Sequence, residues 1–214
     1  MSHEFFRNLY IKQNNCLIMC FQKIKTLLVN PAKFFKDVSK EKGYWTVLKF
    51  YVPVYLAALV IQILASIPIY YGTPLFKVSI LTGLLGIIAA FVGPFIGTFF
   101  VNLGVLIVGG RKGFFNTFKA VTYGTLVVVG YGVLSSIISL LLFLMKLEGN
   151  PASVMLMTVI SIIGVGHMLI ASSIGVSIYH SISRIKAFFG IILVPLVILV
   201  LLVIIGVTFF AGLV

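Results

Sequence analysis

Residues 188–214 read FFGIILVPLVILVLLVIIGVTFFAGLV, 27 consecutive positions without an ionisable side chain. About 20 such residues, wound as a helix, cross the roughly 30 Å of bilayer hydrocarbon. Three further long apolar runs stand at about 49–70, 120–145 and 154–179. A fourth, about 78–108, is too long for one straight span and too short for two with a turn. Gly93 and Pro94 near its middle predict a kinked or tilted helix. The expected fold class is all-α: a polytopic membrane helix bundle with five transmembrane spans (49–70, 78–108, 120–145, 154–179, 188–214).

Composition supports this reading. Hydrophobic residues make up 61% of the 214 and charged residues 9%, too little polar surface to coat a soluble globule. Lys and Arg number 16 against 4 Asp and Glu, a net charge of +12. Fourteen of those cations fall at or before Lys49, which opens the first expected span, or in the loops after spans two and four. The opposite loops hold only Lys77 and Lys146. That asymmetry predicts a cytosolic N-terminus and an outside C-terminus. It also explains the charge without nucleic acid, for which no recognition motif is present.

Residues 1–48 form a cytosolic basic arm preceding the membrane domain of residues 49–214. Asn30 and Pro31 suit an N-cap and a first helical position, so a short helix is predicted over about 31–42, with Gly43 as its C-terminal cap. Phe34, Phe35 and Val38 share one side, flanked by lysines. Such a helix would lie in the headgroup plane with its lysines snorkelling outward. Tyr44 and Trp45 stand where an aromatic belt meets the interface. The apolar stretch Cys16–Phe21 is too short for a signal peptide. In a cytosolic arm Cys16 and Cys20 predict no structural disulfide, and with only His3 nearby they predict no metal site. Acylation beside the membrane is the functional alternative to an inert buried pair, and the inert pair is favoured.

Each cytosolic segment joins basic residues to a Phe pair: Lys33, Phe34, Phe35 and Lys36; Arg111, Lys112, Phe114 and Phe115, extended by Phe118 and Lys119; Arg184 and Lys186 before Phe188 and Phe189. Basic groups attract anionic headgroups while phenylalanine enters the acyl boundary. These residues are the candidate contacts for lipid or a partner. Simple anchoring of span ends is the blander explanation of the same pattern, and it is preferred.

Catalytic groups are missing from the spans. Glu4, Asp37, Glu41 and Glu148 all lie outside them, and there is no zinc-protease, P-loop or nucleophile-elbow motif. No enzymatic activity, cofactor or metal is expected. The intramembrane polar residues are Gln62, Asn102, His167 and serines of spans three and four. A lone His167 reads best as a neutral interhelical hydrogen-bonder, and His180 as interfacial. Ser172 and Ser173 stand at offsets from both histidines that do not favour a dyad. Gly93, Gly97 and Gly104, and likewise Ala171 and Gly175, are spaced for close helix packing within the subunit.

Three stretches taken together resemble the Yip-domain family of Ypt/Rab-interacting membrane proteins. They are Asn30-Pro31 through Phe34-Phe35 to Gly43-Tyr44; residues 109–124, GGRKGFFNTFKAVTYG; and Gly175 through Tyr179 to Ser183, followed by Arg184, Lys186, Ala187, Phe188 and Pro195. The similarity runs from about Ile24 to the C-terminus. Residues 1–18 fall outside it, which leaves Met19 as an alternative start or the arm as an extension. The resemblance implies a non-enzymatic five-span protein; eukaryotic members of the family bind small GTPases and each other in vesicle traffic. The Asp-Leu-Tyr-Gly-Pro signature is absent here, so GTPase binding is not carried over. The chain looks more like the bacterial and archaeal branch, which places it in the cell membrane; a eukaryotic member would sit in the endoplasmic reticulum or Golgi.

The function expected is that of a membrane-organising or adaptor protein whose basic, Phe-rich cytosolic face meets anionic lipid headgroups or another membrane protein. The alternative is a transporter or lipid-translocating protein with a polar path past Gln62, Asn102 and His167. Nothing in the sequence specifies a homo-oligomer.

Overall fold

A computed structural model describes residues 19–211, with side chains as far as Ile205 and at Thr208. His3, Glu4, Arg7, Lys12, Cys16 and the last three residues of the fifth expected span lie outside the described residues. Residues 19–29 are helical (α1). Then follow α2 (Pro31–Asp37), a 3-10 turn (Val38–Lys40), α3 (Tyr44–Tyr70), α4 (Pro74–Ile107), α5 (Phe114–Leu144), α6 (Pro151–His180) and α7 (Arg184–Ala211). The helices from α3 onward are each long and apolar enough to cross a membrane. The all-α, five-span class is therefore the observed one.

The helices outrun the apolar stretches that announce them. α3, α5 and α7 begin at Tyr44, Phe114 and Arg184, earlier than hydropathy places them. Hydropathy marks the part of a helix that lipid can touch, whereas the backbone ladder continues until a residue caps it. α4 and α6 open on Pro74 and Pro151, and Asn150 Oδ1 accepts from the Ala152 N–H at 3.0 Å. α3 opens after Gly43, whose φ of +84° few other residues adopt. Gly43 thus starts α3 rather than closing the helix before it. That earlier helix is shorter than expected: α2 ends at Asp37, the chain tightens through the 3-10 turn, and Glu41 is extended. α4 runs as one helix through Pro94 for 34 residues, about 51 Å at 1.5 Å per residue.

α5 is the centre of the bundle, packed on α3, α4 and α6, while α7 closes against α4 and α6, and α2 lies on α6. Small residues permit the tightest approaches. A Cβ on Gly104 would lie 2.0 Å from the Gly190 carbonyl oxygen, and one on Gly124 would lie 1.9 Å from Ser172 Oγ. One on Gly175 would meet the Phe35 ring at 2.8 Å and Ala120 Cβ at 3.0 Å. Gly93 and Gly97 differ from the expectation, since nothing stands within 4 Å of either added Cβ. Both face outward, and the close packing of α4 falls on Gly104 instead. Large apolar side chains such as Ile88, Leu199 and Leu202 are more than half exposed. Their outward display suits a solvent of lipid rather than water.

Gly175→Val should destabilise the protein by about 1–3 kcal/mol through overpacking against Phe35, read as a lower denaturation midpoint in detergent. Gly93→Val should leave the midpoint nearly unchanged. Equal effects of the two would contradict the packing of α2 on α6.

Candidate functional site

The up-and-down path of the five long helices gathers α2, the α4–α5 loop and the α6–α7 loop at one end of the bundle. All three basic clusters therefore meet there. Lys33, Lys36, Arg111, Lys112, Arg184 and Lys186 are all exposed. Lys77, in the first turn of α4, and Lys146 and Glu148, between α5 and α6, stand at the other end.

The segment after Asn30 is built by local rules. Asn30 Oδ1 caps α2 by accepting from the Lys33 N–H at 3.1 Å, and Pro31 fills the first helical position. At its far end the segment presents the carbonyls of Val38, Ser39 and Glu41. Lys119 Nζ of α5 donates to all three, at 3.3, 2.9 and 3.2 Å. Three acceptors match the three protons of an ammonium group. A cation at a helix C-terminus also complements the partial negative charge of its carbonyls. The Tyr179 ring lies 4.4 Å from the same nitrogen and the Phe115 ring 5.5 Å. Lys119 is 1% exposed. Sequence reading placed it in a loop; it lies in the second turn of α5, inside the protein.

Glu41 ties the segment to two other helices. Its Oε1 pairs with Lys23 Nζ of α1 at 3.0 Å, and its Oε2 accepts from the Tyr123 hydroxyl of α5 at 2.5 Å. Phe34 meets the Tyr123 ring edge-on with centroids 5.1 Å apart, and Phe35 meets Tyr179 in the same way at 5.8 Å. The Tyr179 hydroxyl donates to the Phe35 carbonyl at 3.0 Å. Phe34 and Phe35 are 2% and 0% exposed, and Val38 is 3% exposed. These side chains, expected to enter lipid, are instead core residues of the bundle end. Gly175 leaves the space that the Phe35 ring fills, and α5 and α6 supply the aromatic partners.

The second cluster is anchored by a directed chain of hydrogen bonds. The Lys112 backbone N–H donates to His180 Nδ1 at 3.2 Å, so the imidazole proton sits on Nε2. Nε2 lies 3.0 Å from Thr117 Oγ1, which donates to Asn102 Oδ1 at 2.8 Å. His180 is thereby a buried, neutral, satisfied side chain rather than an interfacial one; it is 4% exposed. Lys112 Nζ reaches Ser181 Oγ at 2.8 Å, joining the two loops. Phe114 and Phe115 are half-buried, and Tyr44 packs against Phe115 and Phe118 with centroids 5.0 Å apart in each case. In the third cluster Ser183 Oγ accepts from the Lys186 N–H at 3.3 Å. Phe188 is half-buried and Phe189 is 60% exposed.

The three intramembrane polar residues stand in separate settings. Asn102 belongs to the His180 chain. His167 Nδ1 lies 3.4 Å from the Tyr131 hydroxyl. Gln62 lies beside Gly132 of α5. Neither Ser172 nor Ser173 pairs with a histidine; Ser173 Oγ donates to the Leu169 carbonyl at 2.6 Å. Sequence reading missed Lys119, Glu41, Tyr123 and Tyr179 as a unit. The signal was present: once α5 starts at Phe114, Lys119 and Tyr123 are four apart on one helical face.

Neither the curated proteins nor the solved structures include a match to this chain. The family model of the Yip1 domain matches residues 25–205, a range that takes in the docked segment, Lys119 and nearly all of the five long helices. The chain is thus a multi-pass integral membrane protein of the Yip1 domain family.

Proposed function

We propose that this protein works by contact rather than by turnover, as a membrane-organising or adaptor protein whose basic end faces the cytosol and engages anionic lipid headgroups. The observation that carries this reading is the ring of exposed cations at one end of the bundle: Lys33, Lys36, Arg111, Lys112, Arg184 and Lys186. With Phe34 and Phe35 turned inward, insertion into the acyl boundary falls to Trp45, Ile185 and Phe189, each at least 60% exposed. A partner membrane protein with an acidic surface would use the same cations. The polar-path alternative has less support, since Gln62, Asn102 and His167 each have a different neighbourhood.

Binding of short-chain phosphatidylglycerol to the detergent-solubilised chain should exceed that of the matching phosphatidylcholine. Each charge removal, such as Lys36→Gln or Lys186→Gln, should weaken it about fivefold, as about 1 kcal/mol per cation implies. Equal binding of the two lipids would sink the lipid reading. For orientation, single cysteines at positions 112 and 146 in an otherwise cysteine-free chain should differ in whole cells. A membrane-impermeant thiol reagent should label position 146 and spare position 112; the reverse pattern would invert the topology.

A further inference from the structure

Gln62 stands about 12 Å along α3 from Tyr70, well inside the expected span. Among the described residues its side-chain amide makes no hydrogen bond within the protein. An amide without partners in hydrocarbon is unfavourable by several kcal/mol. Gln62 and Leu59 line two adjoining cavities, one of about 380 Å³ between α3 and α4 with Ser136 of α5 beside it and one of about 320 Å³ between α3 and α5, which meet at these two residues as one groove along α3. α4 widens it toward the Tyr70 end. Gly132 keeps the groove open, because a Cβ there would lie 3.1 Å from Gln62 Nε2. Leu75 and Val78 on its wall are exposed, so it opens sideways to the bilayer.

The groove has a definite hydrogen-bonding sense. Ser66 Oγ donates to the Ile63 carbonyl at 2.7 Å, Ser136 Oγ to that of Gly132 at 2.9 Å, and Thr82 Oγ1 to that of Val78 at 2.8 Å. Ser79 Oγ lies 2.9 Å from Ser66 Oγ, and since the Ser66 proton is committed, Ser79 is the donor. The protons of these four hydroxyls are thus engaged by protein and leave oxygen lone pairs toward the groove, whereas Gln62 and the wall tyrosines Tyr55 and Tyr70 make no side-chain hydrogen bond among the described residues. No charged side chain lines either cavity.

We propose that this groove binds, from the side, the headgroup of a membrane lipid that carries N–H donors and no net charge, of the phosphoethanolamine kind. The serine and threonine oxygens accept from the ammonium, while Gln62 Nε2 donates to a phosphate or ester oxygen and Gln62 Oε1 accepts. The acyl chains stay in the surrounding bilayer. A headgroup with net charge would be desolvated there without a counter-ion.

The test uses the full chain in nanodiscs of dioleoylphosphatidylethanolamine and dioleoylphosphatidylcholine in equal parts, released into detergent, with retained lipid measured by native mass spectrometry. The two lipids share chains and net charge, and only the first has N–H donors, so the outcome does not depend on the cationic end. Wild type should retain the ethanolamine lipid over the choline lipid by about tenfold. Gln62→Leu, which removes the amide at similar volume, and Gly132→Val, which crowds the Gln62 amide, should each abolish the preference, with folding checked by the denaturation midpoint. Equal retention of both lipids by wild type overturns the proposal, as does a preference that persists in a folded variant.

Discussion

A buried ammonium organises the basic end of this protein. Removing a charged amine from water is unfavourable unless its protons and its charge are met. Lys119 meets both conditions, with three backbone carbonyls of the segment after Asp37 and the face of Tyr179. The arrangement is mutual. Without the segment, Lys119 would be an uncompensated charge inside the bundle; without Lys119, the segment would lose the cation at its C-terminal end. Breaking such a buried arrangement from one side costs about 3–5 kcal/mol, against about 0–1 kcal/mol for an exposed ion pair. Glu41, Tyr123 and Lys23 extend the same constraint to α1, so residues 19–43 pack with the spans as part of the folded unit.

Docking the segment also decides what the basic end can present. The Phe34 and Phe35 rings supply core packing, and Gly175 exists as a gap in α6 because Phe35 occupies it. What remains outside is charge on Lys33 and Lys36, joined by cations of the α4–α5 loop and of the first turn of α7. The surface is therefore a cationic rim around an aromatic plug. The opposite end is different in kind, with few charges and a groove of hydroxyl oxygens. Lipid contact at the two ends would follow different rules: attraction of net charge at one, matching of donors to acceptors at the other.

Five spans were legible in the sequence because length and hydropathy alone decide them, and Asn30 with Pro31 announced α2. The fate of the Phe pair was not legible. Two aromatics beside lysines on a short helix give the same pattern whether the apolar side meets lipid or protein, and only the partners, Tyr123 and Tyr179, distinguish the two cases. They lie more than 80 residues away in the chain. Lys119 was misplaced for a related reason. A lysine at the edge of an apolar run reads as loop, and burial becomes visible only when its acceptors are brought from Val38, Ser39 and Glu41. His180 followed suit, its partners being Lys112, Thr117 and Asn102. For Gly93 and Gly97 the spacing was real, yet spacing does not say which side of a helix faces a neighbour.

Backbone hydrogen exchange over residues 31–43, compared between wild type and Lys119→Met in nanodiscs, bears most directly on this account. Met keeps most of the side-chain volume and removes the charge and its donors. The account predicts strong protection of the segment in wild type, and a loss of protection in the variant that leaves the centres of α3 to α7 unaffected. A segment that exchanges as an unstructured peptide in wild type, or one equally protected in the variant, would contradict it.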